Sequence, residues 1–156
     1  MMKPKDVAIL AALRQDGRQK LTQMSKQVNL PISTLYDRLK THEKNFIQKH
    51  ASLLNFDALG FQTRAHVLFK VHKEEKEQFM ETLQRAPFIN SIYKINNGFD
   101  FLTECIFRNI HELESFLENL EGKHRIKSKE VYYIIQDVTR EQFLADPITA
   151  PIVFGG

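Results

Sequence analysis

The chain has 156 residues, enough for one ordinary domain or two small ones, and its 42% apolar residues with twelve Phe suffice for packed cores. Its net charge of +3 conceals a division: residues 1–50 carry ten Lys and Arg against four Asp and Glu, whereas residues 51–156 carry twelve against fifteen. A single cysteine, Cys105, excludes an intramolecular disulfide and leaves no ligand set for a structural zinc, and no apolar run approaches the roughly 18 residues of a membrane span.

A basic third joined to a mildly acidic remainder is the balance of a nucleic-acid-binding module carried by a second domain. The opening Met1-Met2-Lys3-Pro4 leads into an amphipathic helix rather than a signal peptide, so a soluble cytoplasmic protein without membrane contact is expected. Residues 4–16 predict that helix, with Pro4 in its first turn, Asp6 at its positive end, and Val7, Leu10, Ala11 and Leu13 as its apolar stripe before Asp16-Gly17.

Leu21 to Lys44 predicts two short helices around a tight turn. Met24 and Val28 repeat at a spacing of four, as do Leu35 and Leu39, with Leu30 as a plug between the pairs. In the turn Asn29-Leu30-Pro31, Asn29 tolerates the left-handed conformation and Pro31 stops one helix and opens the next, while Ser25 is small enough for a close crossing. Such a pair cannot bury its own apolar face, and the first helix supplies the missing cover. Ser33, Thr34, Tyr36, Asp37, Arg38, Lys40, Thr41 and Lys44 then form a hydrogen-bonding and cationic surface on a rod that fits the DNA major groove. Asn45 is the expected left-handed end of that helix.

Phe46 to Leu54 reads as an extended exit, and Asn55 to Gly60 as a turn with one helical turn. Beyond it the period changes from helical to alternating. Strands are expected at Gln62–His72, Ile89–Asn96, Phe99–Arg108 and Val131–Val138, and helices at Lys73–Arg85 and Asn109–Leu120, with the Asn97-Gly98 hairpin signal and a polar loop from Glu121 to Lys129. A helix-like TREQFL lies near Pro147 in the remaining tail. The order strand, helix, strand, strand, helix, strand predicts an α+β protein in which a three-helix helix-turn-helix domain precedes a βαββαβ ferredoxin-like domain with a four-stranded antiparallel sheet. The expected divisions are residues 1–50, a linker at 51–60, the second domain at 61–138 and a tail at 139–156. Both sheet faces carry apolar residues and two helices cover only one of them, so a homodimer is expected through the other, with higher homo-oligomers left open.

This order of parts resembles the Lrp/AsnC, or feast/famine, transcription regulators over roughly residues 5–138. The resemblance rests on Asp16-Gly17-Arg18, the Leu21–Leu39 helix-turn-helix, the linker Asn55 to Phe61, and Asn97 to Leu102, which is similar to the family's Gly-x-Tyr-Asp segment. Asn97 stands where the family usually has Gly and Phe99 where it has Tyr; Asn29 and Ser25 replace the usual Gly and Ala of the turn, Asp37 puts an acid where Arg is common, and the loop Gly122 to Lys129 is unusually basic. The resemblance implies a dimeric DNA-binding regulator that senses an amino acid or related metabolite and needs no cofactor. The same two-domain plan occurs in haem-pathway decarboxylases, which leaves an enzyme as the alternative.

His42, His50, His66, His72, His111 and His124 lack metal-ligand spacing, and Cys105 lies among strand apolar residues, where packing is the expected role. Asp100 and Glu104 share one side of a strand with no nucleophile placed beside them, so they are expected to hold the ammonium of a small amino acid rather than to catalyse. Backbone donors of Asn97-Gly98 and the basic loop with Ser128 complete the expected ligand site, Asn97, Gly98, Asp100, Glu104 and Ser128.

Overall fold

A computed structural model describes residues 2–155. The N-terminal helices are α1 (Pro4–Gln15), α2 (Leu21–Val28) and α3 (Ile32–Asn45). Asn29 ends α2 at φ 52°, ψ 61°, the left-handed conformation that its short polar side chain tolerates. Ser25 closes the same turn twice, its carbonyl accepting from Leu30 N–H at 3.0 Å and its hydroxyl donating to the Leu30 carbonyl at 2.5 Å. Lys5 Nζ reaches the Val28 carbonyl at 2.8 Å, a cation at the negative end of α2. Met24, Val28 and Leu35 are buried with Ile9 and Ala12 of α1, and Leu30 packs against them as the plug. Asn45 stays helical, and Phe46 at φ −127° ends α3 instead.

A one-turn helix at Asp57–Leu59, closed by Gly60 at φ 85°, precedes β1 (Thr63–Val71). There follow a helical turn at Lys73–Glu75, α4 (Lys76–Arg85), β2 (Ile89–Lys94), β3 (Phe101–Phe107), α5 (Ile110–Lys123), β4 (Ile126–Tyr133) and α6 (Ala150–Val153). The sheet order is β2-β3-β1-β4 with every pairing antiparallel. Ala65, Val67, Phe69 and Val71 alternate inward on β1 and meet Phe79 and Leu83 of α4 and Leu113, Leu117 and Leu120 of α5. Asn109 caps α5 by accepting from Glu112 N–H at 2.9 Å. Cys105 is fully buried here, and burial pushes its thiol up to about 11, where it is inert packing.

The last strand begins five residues earlier than the sequence pattern indicates. VYYIIQDV carries the strongest apolar alternation, but pairing with β1 sets the register, placing Val131 opposite Val67 and Ser128 opposite Lys70, with a bulge next to Val71. Ser128 is therefore a strand residue, and α5 extends to Lys123, so the expected polar loop shrinks to His124 and Arg125. Ile135 and Val138, expected within the strand, are 98% and 91% exposed.

The chain divides into two compact units, one of residues up to Leu53 together with those from Val138 onward, the other Leu54–Asp137. The segment expected to be a tail thus belongs to the N-terminal unit. Its TREQFL stretch is not helical, because Glu141 and Leu144 adopt φ 55° and 60°. Arg14 fixes that backbone, with Nη2 and Nε donating to the carbonyls of Glu141 and Phe143 at 2.8 and 2.9 Å and Nη1 pairing with the Glu141 carboxylate at 2.8 Å. Ala150 packs on Val7 and Ala11. This contact explains why α1 is apolar on two faces: Ile9 and Ala12 serve the helix-turn-helix core, and Val7 and Ala11 serve the C-terminal segment.

Candidate nucleic-acid interface and ligand site

At about 100° per residue, Ser33, Thr34, Tyr36, Asp37, Lys40, Thr41 and Lys44 fall within an arc of about 160° on α3, opposite Leu35 and His42. All seven are exposed, while Leu35 and His42 are 0% and 2% exposed. Lys40 Nζ lies 4.5 Å from the Tyr36 ring centroid, and the adjacent Tyr36 oxygen holds the Lys40 ammonium above its ordinary value. The Thr41 hydroxyl donates to the Asp37 carbonyl at 3.1 Å.

Arg38 departs from this set. It lies at the edge of the arc, half-buried, and its Nη1 is 2.7 Å from Asp6 Oδ1 of α1. His42 Nε2 is 3.1 Å from the same oxygen, and the His42 ring meets Phe46 edge-on at 5.5 Å. The sequence offered Arg38 as one more outward donor, but its angular position, one turn before His42, puts it within reach of α1.

In the second unit, Asn97 and Gly98 both have positive φ, 63° and 93°, as a tight hairpin requires. The turn delivers Asp100 to the start of β3. One Asp100 oxygen accepts from Val71 N–H at 3.0 Å, and the other lies 2.5 Å from Lys76 Nζ and 3.4 Å from Lys70 Nζ. Burial works to push this carboxyl up, but the Lys76 ammonium and the Val71 N–H outweigh it and hold Asp100 below the usual carboxylate range. Lys70 stands opposite Ser128, and its other neighbour on β3 is the position of Asp100, one residue beyond the Phe69–Phe101 pair. Ser128, Lys70 and Asp100 therefore form one row across the sheet end.

Glu104 belongs elsewhere. Four residues further along the strand, it is separated from Asp100 by about 13 Å, so one ammonium group cannot bridge the two carboxylates. Glu104 is 8% exposed, and its oxygens meet Arg64 Nε at 2.7 Å and Asn90 Nδ2 at 2.5 Å. Arg64 also pairs with Asp137 at 2.8 Å. The sequence reading missed Lys70, Lys76 and Arg64. Lys70 and Arg64 occupy the outward positions of an alternating strand, and Lys76 sits in the first turn of α4, where a cation opposes the helix dipole unless a carboxylate is near.

The face of the sheet away from the helices carries His66, Leu68, Leu102, Ile106, Tyr93, Glu130 and Tyr132, a mixed rather than wholly apolar surface in which Tyr93 and Tyr132 are 56% and 54% exposed.

Residues 64–142 match the model of the Lrp/AsnC ligand-binding domain, and residues 2–41 match a winged helix-turn-helix DNA-binding model. The chain belongs to the Lrp/AsnC family. It is 30% identical over 126 residues to the HTH-type transcriptional regulator FL11 of Pyrococcus furiosus, covering 76% of this chain and 83% of that one. Among solved structures, a Neisseria meningitidis transcriptional regulator in complex with L-Met superposes at TM-score 0.84 with 20% identity, over 90% of this chain and 94% of the other. AsnC of Escherichia coli gives 0.79 and 17%, over 90% and 96%. These likenesses establish the α+β architecture: three helices, then a four-stranded antiparallel sheet with helices. No helix among the described residues is long and apolar enough to cross a membrane.

Proposed function

We infer that this Lrp/AsnC-family chain is a sequence-specific transcription regulator that binds double-stranded DNA through the outer face of α3 and responds to an amino acid or related small metabolite, and that it is not an enzyme. One observation carries the reading: Ser33, Thr34, Tyr36, Asp37, Lys40, Thr41 and Lys44 are all exposed on one arc of a helix whose opposite side is buried in a helix-turn-helix core. Major-groove recognition needs such a row of donors, acceptors and cations, and a folding role does not. Arg38 supports the row by bracing α3 on α1 through Asp6.

The effector reading centres on the Asn97-Gly98 turn, Asp100 and Ser128, with Lys70 and Lys76 beside them. An amino-acid ligand brings a carboxylate for the two ammonium groups and an ammonium that competes for Asp100. The open sheet face pairs two copies, and a two-fold dimer presents two α3 helices to a pseudo-palindromic site.

Selection of genomic duplexes by the purified protein, with and without each of the twenty amino acids, tests the reading. Enrichment of one pseudo-palindromic pattern, shifted in strength by at least one amino acid, is expected. Uniform recovery of all sequences would overturn specificity, and recovery unchanged by every amino acid would overturn the effector role.

A further inference from the structure

The chain crosses between its two units twice, and the second crossing leads from β4 directly into the segment that packs on α1. That segment is held in an unusual way. Two non-glycine residues, Glu141 and Leu144, sit in the left-handed region within four positions of each other, a backbone state that persists only where its surroundings impose it. Its polar surroundings include one guanidinium, that of Arg14, with three bonds to Glu141 and Phe143, and Leu144 packs on the cluster of Val7, Ala11 and Ala150. Its apolar seat is small: Ala150 is buried on Val7 and Ala11 with Leu144 and Phe154 half-buried beside it, while Phe143, Ile148, Ile152 and Val153 are 67%, 82%, 67% and 55% exposed. Strained backbone with few buried side chains is the composition of a segment that opens locally before the core does.

The other end of the crossing is also ion-paired. Arg64 holds Asp137, the last residue of the second unit, and holds Glu104 on the open sheet face at the same time. Whatever draws Glu104 away from Arg64 alters the pair at the root of the segment. On the far side, α1 carries both Arg14, which grips the segment, and Asp6, which grips Arg38 and His42 of α3.

We propose that residues 141–154 form a releasable strap on the DNA-binding unit, docked by Arg14 and rooted at the Arg64–Asp137 pair, whose docked state favours DNA binding. The proposal rests on the DNA-binding reading above. Because α1 supports α3 through Asp6, a docked strap holds the helix pair in its binding geometry, and by linkage duplex DNA must favour docking in return.

Hydrogen–deuterium exchange of the full chain, free and with a saturating selected duplex, tests this in wild type, Arg14→Ala, Glu141→Gln and Asp137→Asn. The strap amides are expected to exchange about tenfold faster or more in Arg14→Ala, faster by a smaller factor in Glu141→Gln and Asp137→Asn, and more slowly in wild type on duplex. Duplex affinity is expected to fall in the same variants. Asp137→Asn keeps the side-chain volume and changes a residue of the second unit, so its effect reports on release at the root while Arg14→Ala reports on the strap's own seat. Equal strap exchange in wild type and Arg14→Ala, no change in Asp137→Asn, or no slowing on a duplex that wild type does bind would overturn the proposal while leaving the DNA-binding reading intact. Failure of wild type to bind any duplex at low salt would instead overturn that reading, and with it the coupling to DNA.

Discussion

Asp6 of α1 holds Arg38 of α3 at 2.7 Å, and the same carboxylate oxygen lies 3.1 Å from His42 one turn later. One acid on the first helix thus fixes the angle at which the third is presented. Asp6→Ala leaves both partners without their acceptor and is expected to destabilise the N-terminal unit by about 1.5–3 kcal/mol in denaturant unfolding. Arg38→Ala is expected to weaken binding to all duplexes by a similar factor. If it relaxed preference at a single base pair without loss of stability, Arg38 would be a base-reading residue after all.

Asn29 sets the turn between α2 and α3 at φ 52°. Asn29→Gly is expected to leave thermal stability within a few tenths of a kcal/mol or raise it, while Asn29→Val forces a β-branched residue into the left-handed region at a cost of about 1–2 kcal/mol. A tolerated valine would mean that the turn relaxes to another geometry.

The fold was legible wherever local chemistry decides it. Asn29, Gly60 and Asn97-Gly98 announced their turns because left-handed backbone demands particular residues, and Phe69 and its alternating neighbours announced β1 because its helix-covered face admits only apolar residues. The antiparallel four-stranded arrangement was legible from the order of elements, but strand register and long-range side-chain contacts were not. The five-residue shift of β4 follows from its register against β1, Arg38 turns inward because Asp6, thirty-two positions earlier, waits for it, and the C-terminal segment docks because Arg14 reaches residues more than a hundred positions away. Of the residues offered as a candidate ligand site, Asp100 and Ser128 share a row across the sheet, but Lys70 between them and the separation of Glu104 emerge only once the strands are paired.

Asp100 gives a pH test. Its carboxyl is held below the ordinary carboxylate range in the folded chain, so its stabilisation is complete above the unfolded value of about 4 and is lost as pH falls through the lower folded value. Asp100→Asn is expected to lower the denaturant midpoint at pH 7 and to converge on wild type near pH 2. A constant difference across that range would show that the carboxylate's charge is not what stabilises.

Leu68 and Leu102 face each other at the centre of the open sheet face, flanked by Tyr93 and Glu130. If two copies meet there, Leu68→Glu is expected to convert a dimer into a monomer in sedimentation at micromolar concentration, with little change in the circular dichroism of the folded chain. A variant that stays dimeric places the interface elsewhere, and a wild type that sediments as a monomer overturns the dimer.

The most direct test of the central claim is the salt dependence of duplex binding by wild type and Lys44→Ala, followed by fluorescence anisotropy on a selected site and on an unrelated one. Lys44 is exposed in the last turn of α3, at the middle of the arc. If that arc lies against DNA, Lys44→Ala is expected to weaken binding to both duplexes and to reduce the slope of log affinity against log salt by about one. Identical affinities and identical slopes for the two proteins on both duplexes would contradict the assignment of α3 as the DNA-reading helix.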